Sequence, residues 1–310
     1  MRVFVAGATG AVGRTLVPAL LRAGHDVTGM TRSPEKAAAL AAAGATPVVC
    51  DALDRPAIDR AIGSVRPEVV VHELTELPVR YRDLRKGAEA TNRLRTDGTR
   101  HLVDAALAHG ARRLVAQSVA FLYAPEGDPI KDEGARPWTD APAPFDRVLT
   151  ALLELERLVT GAAGLEGLVL RYGAFYGPGT WYGPGGDITK QVRRRRFPLV
   201  GQGGGLISWL HVEDAAAATV SAVEGGGAGV YNVVDDEPVA YREWLPAFAR
   251  LLGAPPPWRV PAWLARIVAG SLAVSVITQQ RGASNRKAAQ DLGWRPRYAS
   301  WRQGFAESLG

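Results

Sequence analysis

The chain has a single cysteine, Cys50, in 310 residues, so no disulfide can form within it. That usage suits a reducing cytoplasm, which is the expected location. A secretory leader is not expected either. Met1 runs straight into Val3-Phe4-Val5-Ala6, with no basic region followed by a long apolar segment. Long hydrophobic runs are also missing. The one membrane-like stretch, Ile267 to Ile277, falls short of the roughly 20 residues a span needs and reads as a buried or lid helix. The five histidines are dispersed, and no His/Cys/carboxylate group has ligand spacing, so no metal is expected. Nucleic-acid motifs are absent. The net charge of +6 and the tract Arg193-Arg194-Arg195-Arg196 invite a nucleic-acid partner, but the remaining charge is scattered. The tract reads instead as a solvated helix face or an anchor for an anionic part of a substrate. Neither nucleic acid nor membrane is expected as a partner, and the oligomeric state stays open.

What is present is a large apolar fraction, 47%, enough for one continuous core with a smaller lobe built on it. Val3–Ala6, Asp26–Thr31, Pro47–Cys50, Val69–His72, Leu114–Ala116 and Leu168–Leu170 read as strands. Most are continuously apolar, as strands covered on both faces are. Between them lie helical stretches such as Val12–Arg22, Gly98–Ala108 and Val148–Val159. Strand and helix in alternation predict an α/β fold, a doubly wound parallel sheet. Residues 173–205 are rich in Gly, Pro and aromatics and read as a substrate loop. Leu210–Val223 and Val230–Val234 return to the α/β pattern, and a small helical lobe follows from about Tyr241. The expected division is a nucleotide-binding core of residues 1–172, rejoined by 206–240, with 173–205 and 241–310 forming a substrate lobe.

Gly7-Ala8-Thr9-Gly10-Ala11-Val12-Gly13 follows the first strand and opens the first helix. Gly7 permits the tight turn, Gly10 lets backbone approach a diphosphate, and Gly13 lets the helix pack close to the strand. Free N–H groups and the positive end of the helix then face the phosphates. This is the Rossmann arrangement. Specificity for NAD normally comes from a carboxylate about 20 residues further on. Here the second strand ends Thr31-Arg32-Ser33, with no carboxylate, and Arg32 offers a donor fork suited to a 2′-phosphate. NADP(H) is therefore the expected cofactor, against the alternative that Arg32 is a solvated loop residue and NAD(H) is accepted as well.

The Gly-x-x-Gly-x-x-Gly spacing resembles that of the extended short-chain dehydrogenase/reductases, the NAD-dependent epimerase/dehydratase family. Asp51-Ala52-Leu53-Asp54 resembles the acidic turn after its third strand. Leu170-Arg171-Tyr172 through Tyr176-Gly177-Pro178-Gly179, then His211-Val212-Glu213-Asp214, and finally Ser284-Asn285-Arg286-Lys287 with Leu292-Gly293-Trp294-Arg295-Pro296 resemble its later segments. The resemblance implies a cofactor site formed by Gly7, Thr9, Gly10, Ala11, Val12, Gly13, Thr31, Arg32, Ser33, Asp51, Ala52, Leu74, Thr75 and Gln117.

It also exposes a gap. The family stabilises the reacting oxygen with a Ser or Thr and a Tyr-x-x-x-Lys pair, and this chain has no Tyr-x-x-x-Lys. Anchoring on Glu156 puts Val148 and Leu152 in the Tyr and Lys places. Anchoring on Tyr123 puts Val119 in the Ser place, with Ser118 one residue before it as the remaining catalytic candidate. A family asparagine is replaced by Arg95, ahead of Gly98-Thr99. Three readings stay open. The first is an NADPH-dependent ketoreductase whose aromatic substrate activates its own carbonyl through a neighbouring phenol. At this level the chain resembles atypical family members that reduce angucyclinones of the simocyclinone type in antibiotic pathways. The second is a sugar-nucleotide epimerase or dehydratase with recruited acid/base residues, Tyr123, Tyr176 and His211 being candidates. The third is a non-catalytic NADP(H) sensor. Tyr123, Tyr176, Trp181, Tyr182 and Trp209 are the expected substrate contacts, by stacking on a flat aromatic partner, against the simpler reading that some of these rings are core.

Overall fold

The computed structural model describes residues 1–309. Seven strands form the central sheet: β1 (Arg2–Ala6), β2 (Asp26–Thr31), β3 (Thr46–Val49), β4 (Val69–His72), β5 (Arg113–Val119), β6 (Glu166–Tyr172) and β7 (Gly229–Val233). Their spatial order is β7-β6-β5-β4-β1-β2-β3, every neighbouring pair parallel. The sheet is doubly wound, and its order reverses between β1 and β4. Ligands of open α/β sheets bind at that reversal, outside the carboxyl ends of the strands.

The helices cover both faces. α1 (Gly13–Arg22), α2 (Pro34–Ala42), α3 (Arg55–Val65), α4 (Leu84–Arg93), α5 (Thr99–Ala108) and α6 (Phe145–Thr160) follow in chain order. α1 buries Leu16, Val17 and Leu20 on one face, together with the alanines of a later helix, Val212–Glu224. α3, α5 and α6 bury Ile58, Leu102, Leu155 and Val159 on the other. β4 is buried at every residue, which explains its unbroken apolar run. α2 and α3 start where a short polar side chain caps them: Ser33 accepts from Lys36 N and Asp54 from Ala57 N.

Residues 173–205 are more ordered than an open loop. Ala174–Tyr176 pairs in parallel with Trp209–His211. α7 (Asp187–Arg193) follows, and Leu199–Val200 pairs with Arg259–Val260. After α8 (Val212–Glu224) and α9 (Tyr241–Leu251) come short helices up to Trp301–Leu309. Trp209, Trp244, Phe248, Trp301 and Phe305 make a separate aromatic core for this lobe. Gly270, at φ +88°, breaks the Ile267 to Ile277 stretch into two helices, Ala262–Ala269 and Ser271–Gln279. Among the described residues no helix is long and apolar enough to cross a membrane. In the basic tract, Arg195 turns back and lays its guanidinium 3.6 Å over the Trp258 ring.

Candidate functional site

The carboxyl ends of β1 and β4 meet at the glycine loop. Gly7 has φ +94°, and a Cβ there would lie 2.5 Å from the Glu73 carbonyl oxygen. A Cβ on Gly13 would lie 2.3 Å from the Gly7 carbonyl oxygen, so α1 cannot start here with any other residue. Gly10 differs: it is exposed, and a Cβ there would fill the surface a ligand has to approach. Among the described residues nothing accepts from the amides of Ala11 and Val12. A tight loop, two free amides and a helix start form a cradle that fits a diphosphate.

The neighbouring residues prepare the rest of that site. Thr9 Oγ1 lies 3.3 Å from Thr31 Oγ1, which accepts from Ser33 N. The Ser33 hydroxyl is occupied as the cap of α2. Asp51 closes a turn by accepting from Leu53 N and is itself exposed, beside buried Ala52. Gln117 donates to the Leu74 carbonyl, tying the end of β5 to the loop after β4, while Thr75 is exposed. His72 Nδ1 accepts from Leu74 N, so its proton sits on Nε2 and goes to Thr99 Oγ1 at 2.9 Å. Burial pushes His72 down to about 4 and keeps the ring neutral. Arg32 meets a carboxylate that adjacency in the chain does not reveal: Glu76, from the loop after β4, accepts from it at 3.1 Å.

Glu73 is buried behind this cradle. Its Oε1 lies 3.0 Å from the Tyr172 hydroxyl, which is 2.6 Å from Thr219 Oγ1, which donates to the Ala215 carbonyl at 2.7 Å. The Tyr172 hydroxyl donates to Oε1, and among the described residues the buried Oε2 has no partner. Burial pushes Glu73 up to about 8, against the lowering effect of the Tyr172 hydroxyl that donates to it. Because the folded value exceeds the unfolded one, Glu73 supports the fold when neutral. That support is drawn down as pH rises from about 4.5 to about 8, at roughly 1.4 kcal/mol per pH unit. Glu73→Gln keeps a neutral donor, so the variant should lose less thermal stability than the wild type between about pH 5 and about pH 9. Equal losses in the two ligand-free proteins would refute the neutral carboxyl.

Where hydride chemistry would need an acid, the protein offers an apolar wall. Val119, Phe121, Trp138 and Val148 are half-buried against one cluster, and Leu152 is fully enclosed. Ser118 is not a free hydroxyl, which corrects its catalytic assignment. It donates to Glu156 Oε1 at 2.7 Å, and Glu156 in turn receives Arg171 through two bonds of 2.8 and 2.6 Å. Tyr123 belongs to the same buried network, donating to Asn232 and accepting from Arg171, so it is not a substrate contact. Tyr176 and Trp209 are wholly buried in the lobe's aromatic core. Tyr176 stacks on Phe305 with centroids 4.3 Å apart, and Gly304 leaves room for its hydroxyl. Neither reaches the cleft. His211 accepts from Glu213 N as the cap of α8, which excludes it as the recruited base. Tyr182 is half-buried and packs edge-on against Trp209. Trp181 is half-buried too, and its Nε1 donates to the Pro78 carbonyl. Its ring meets Tyr81 edge-on at 5.2 Å. Tyr81, which sequence reading missed, thus joins Trp181 where the loop after β4 meets the lobe.

A sheet that reverses its order at a phosphate cradle is the arrangement that binds dinucleotides. The profile of the NAD dependent epimerase/dehydratase family matches residues 3–233, and the chain belongs to that family. It is 49% identical over 306 residues to a 3-diazoavenalumate denitrifying reductase of a Streptomyces species, covering 98% of this chain and 99% of that protein. It is 26% identical to the 4-hydroxy-2-methyl-3-oxo-4-farnesyl-3,4-dihydroquinoline-1-oxide ketoreductase of Stigmatella aurantiaca, covering 95% and 92% of the two chains. Among solved structures, the UDP-glucose 4-epimerase of Thermotoga maritima superposes with a TM-score of 0.79 at 20% identity, covering 99% and 97%, and shows the shared fold.

Proposed function

We propose that this protein is an NADPH-dependent reductase acting on a bulky aromatic substrate that arrives already electrophilic, so that no protein acid takes part. One observation carries the reading: Val119 and Val148 on the wall and Leu152, enclosed on the same helix as Val148, offer no donor, and the hydroxyl of Ser118 is committed to Glu156. When bound, the reduced nicotinamide supplies a hydride. Gly7, Gly10, Gly13 and the amides of Ala11 and Val12 would hold the diphosphate, and Arg32 the 2′-phosphate. Trp181 and Tyr81 supply aromatic faces for the substrate, and the segments 173–205 and 241–310 its lobe.

Hydride added to an ordinary ketone leaves charge on oxygen, which must be stabilised. An aryl diazonium group makes no such demand. The carbon–nitrogen bond breaks, its electron pair leaves with dinitrogen, and the hydride pair forms the new carbon–hydrogen bond. The relative named for denitrifying reduction of a diazo compound supports this substrate class across the whole chain. A second reading keeps a ketone hydrogen-bonded to its own phenol and is favoured by the quinoline-oxide ketoreductase.

The test offers three substrates with NADPH: a 3-diazo-4-hydroxycinnamate, an ortho-hydroxyaryl ketone, and that ketone's O-methyl ether. The expected result is one dinitrogen and one reduced arene per NADPH from the diazo acid, identified by mass. Turnover of the hydroxyketone alone would select the second reading. Reduction of the methyl ether at a similar rate would defeat both, because only a protein acid would then explain it.

A further inference from the structure

Arg95 is a cation without a counter-ion. It lies in the π-helical turn Leu94–Gly98 between α4 and α5, a distortion frequent at functional sites. Its NH1 donates to Asn92 Oδ1 at 3.2 Å, and among the described residues no carboxylate pairs with it. Asn92 in turn reaches the Arg147 carbonyl of α6, one residue before Val148. From the other side, the Arg95 charge helps keep His72, at the end of β4, neutral. The guanidinium thus stands between the end of β4 and the turn of α6 that carries the apolar wall. Burial pushes it down to about 10, which leaves it charged at neutral pH. Its remaining N–H groups are not among the buried unpartnered atoms, so they open into accessible space. A guanidinium has five donors, and with one of them met inside the protein the others are free to take an anion.

We propose that Arg95 is the anion anchor of the cleft, binding an oxyanion of the ligand and supplying there the positive charge that Leu152 cannot. Two sources share this chemistry: the diphosphate of the cofactor, and the carboxylate of an aromatic acid, the latter resting on the substrate reading above. The test variant is Arg95→Met, since an apolar side chain of similar length replaces a half-buried charge that has no counter-ion at little cost in stability. Arg95→Lys keeps the charge without the fork. Dissociation constants are measured by titration for NADPH, NADH, 4-hydroxycinnamate and its methyl ester, beside the melting temperature of each ligand-free protein. Expected is an unchanged or raised melting temperature for Arg95→Met, with at least about tenfold weaker binding of one anion class and a smaller loss for Arg95→Lys. NADPH and NADH weakening together identify the diphosphate. The acid weakening while its ester and both cofactors hold identifies the carboxylate. Binding of all four within about twofold of wild type would overturn the proposal. So would failure of Arg95→Met to fold, because the charge would then serve the structure. Neither result depends on turnover, so the reduction chemistry stands or falls separately.

Discussion

Arg32→Glu is expected to weaken NADPH by about 100-fold while leaving NADH within about threefold. A bond to a charged group is worth about 1.5–3 kcal/mol, and each 1.4 kcal/mol is about tenfold in affinity. Charge reversal removes the bond and sets a carboxylate against the 2′-phosphate. The end of β2 has no carboxylate of its own: Thr31 is buried and its hydroxyl accepts from Ser33 N. Glu76 complicates the picture, because it holds Arg32 at 3.1 Å before any phosphate arrives. Both side chains are about half exposed, so that pair is worth at most about 1 kcal/mol, and a phosphate outcompetes it. Titration of both cofactors by fluorescence reads the effect. Equal losses for NADPH and NADH would remove the phosphate assignment.

The second large effect is on stability. Glu156→Ala leaves Arg171 buried without its partner, and breaking a buried pair costs about 3–5 kcal/mol. Arg171 and Glu156 are each under 10% exposed and joined through both carboxylate oxygens. Chemical denaturation should show the loss directly. Ser118→Ala removes one hydrogen bond to the same carboxylate and should cost about 1–2 kcal/mol while retaining most activity. A proton relay would contribute about 10²- to 10⁴-fold to the rate. A loss of that size in Ser118→Ala, with the fold intact, would return Ser118 to the chemistry.

These variants mark where sequence reading succeeds and where it stops. The glycine loop was legible because its spacing is local: Gly10 and Gly13 act through backbone within seven residues, while the contact of Gly7 with Glu73, 66 residues away, shows only in the fold. The strands were legible because burial on both faces writes an unbroken apolar run, as in Val69-Val70-Val71. Ser118 and Tyr123 misled because their partners, Glu156, Arg171 and Asn232, lie 38 to 109 residues away. Their hydroxyls look available only until the fold brings those groups in. Tyr176 and Trp209 misled for a different reason. The lobe builds its own core, and Phe305, from the last helix, fills the space where a flat ligand was expected. Glu76 was invisible beside Arg32 because 44 residues separate them. Strand alternation was the one local clue to Glu73: neighbouring residues at the end of β4 face opposite sides, so His72 and Glu73 serve different networks.

The central claim is that hydride is delivered without a proton from the protein. The most direct measurement is the solvent isotope effect on the hydride step, by single-turnover mixing of the NADPH complex with a 3-diazo-4-hydroxycinnamate in H2O and in D2O. With Val148 at the wall, Leu152 enclosed and Ser118 held by Glu156, no proton moves in that step. The account predicts an effect of about one, whereas about two or more would mean that an acid in the protein shares the transition state and would contradict it.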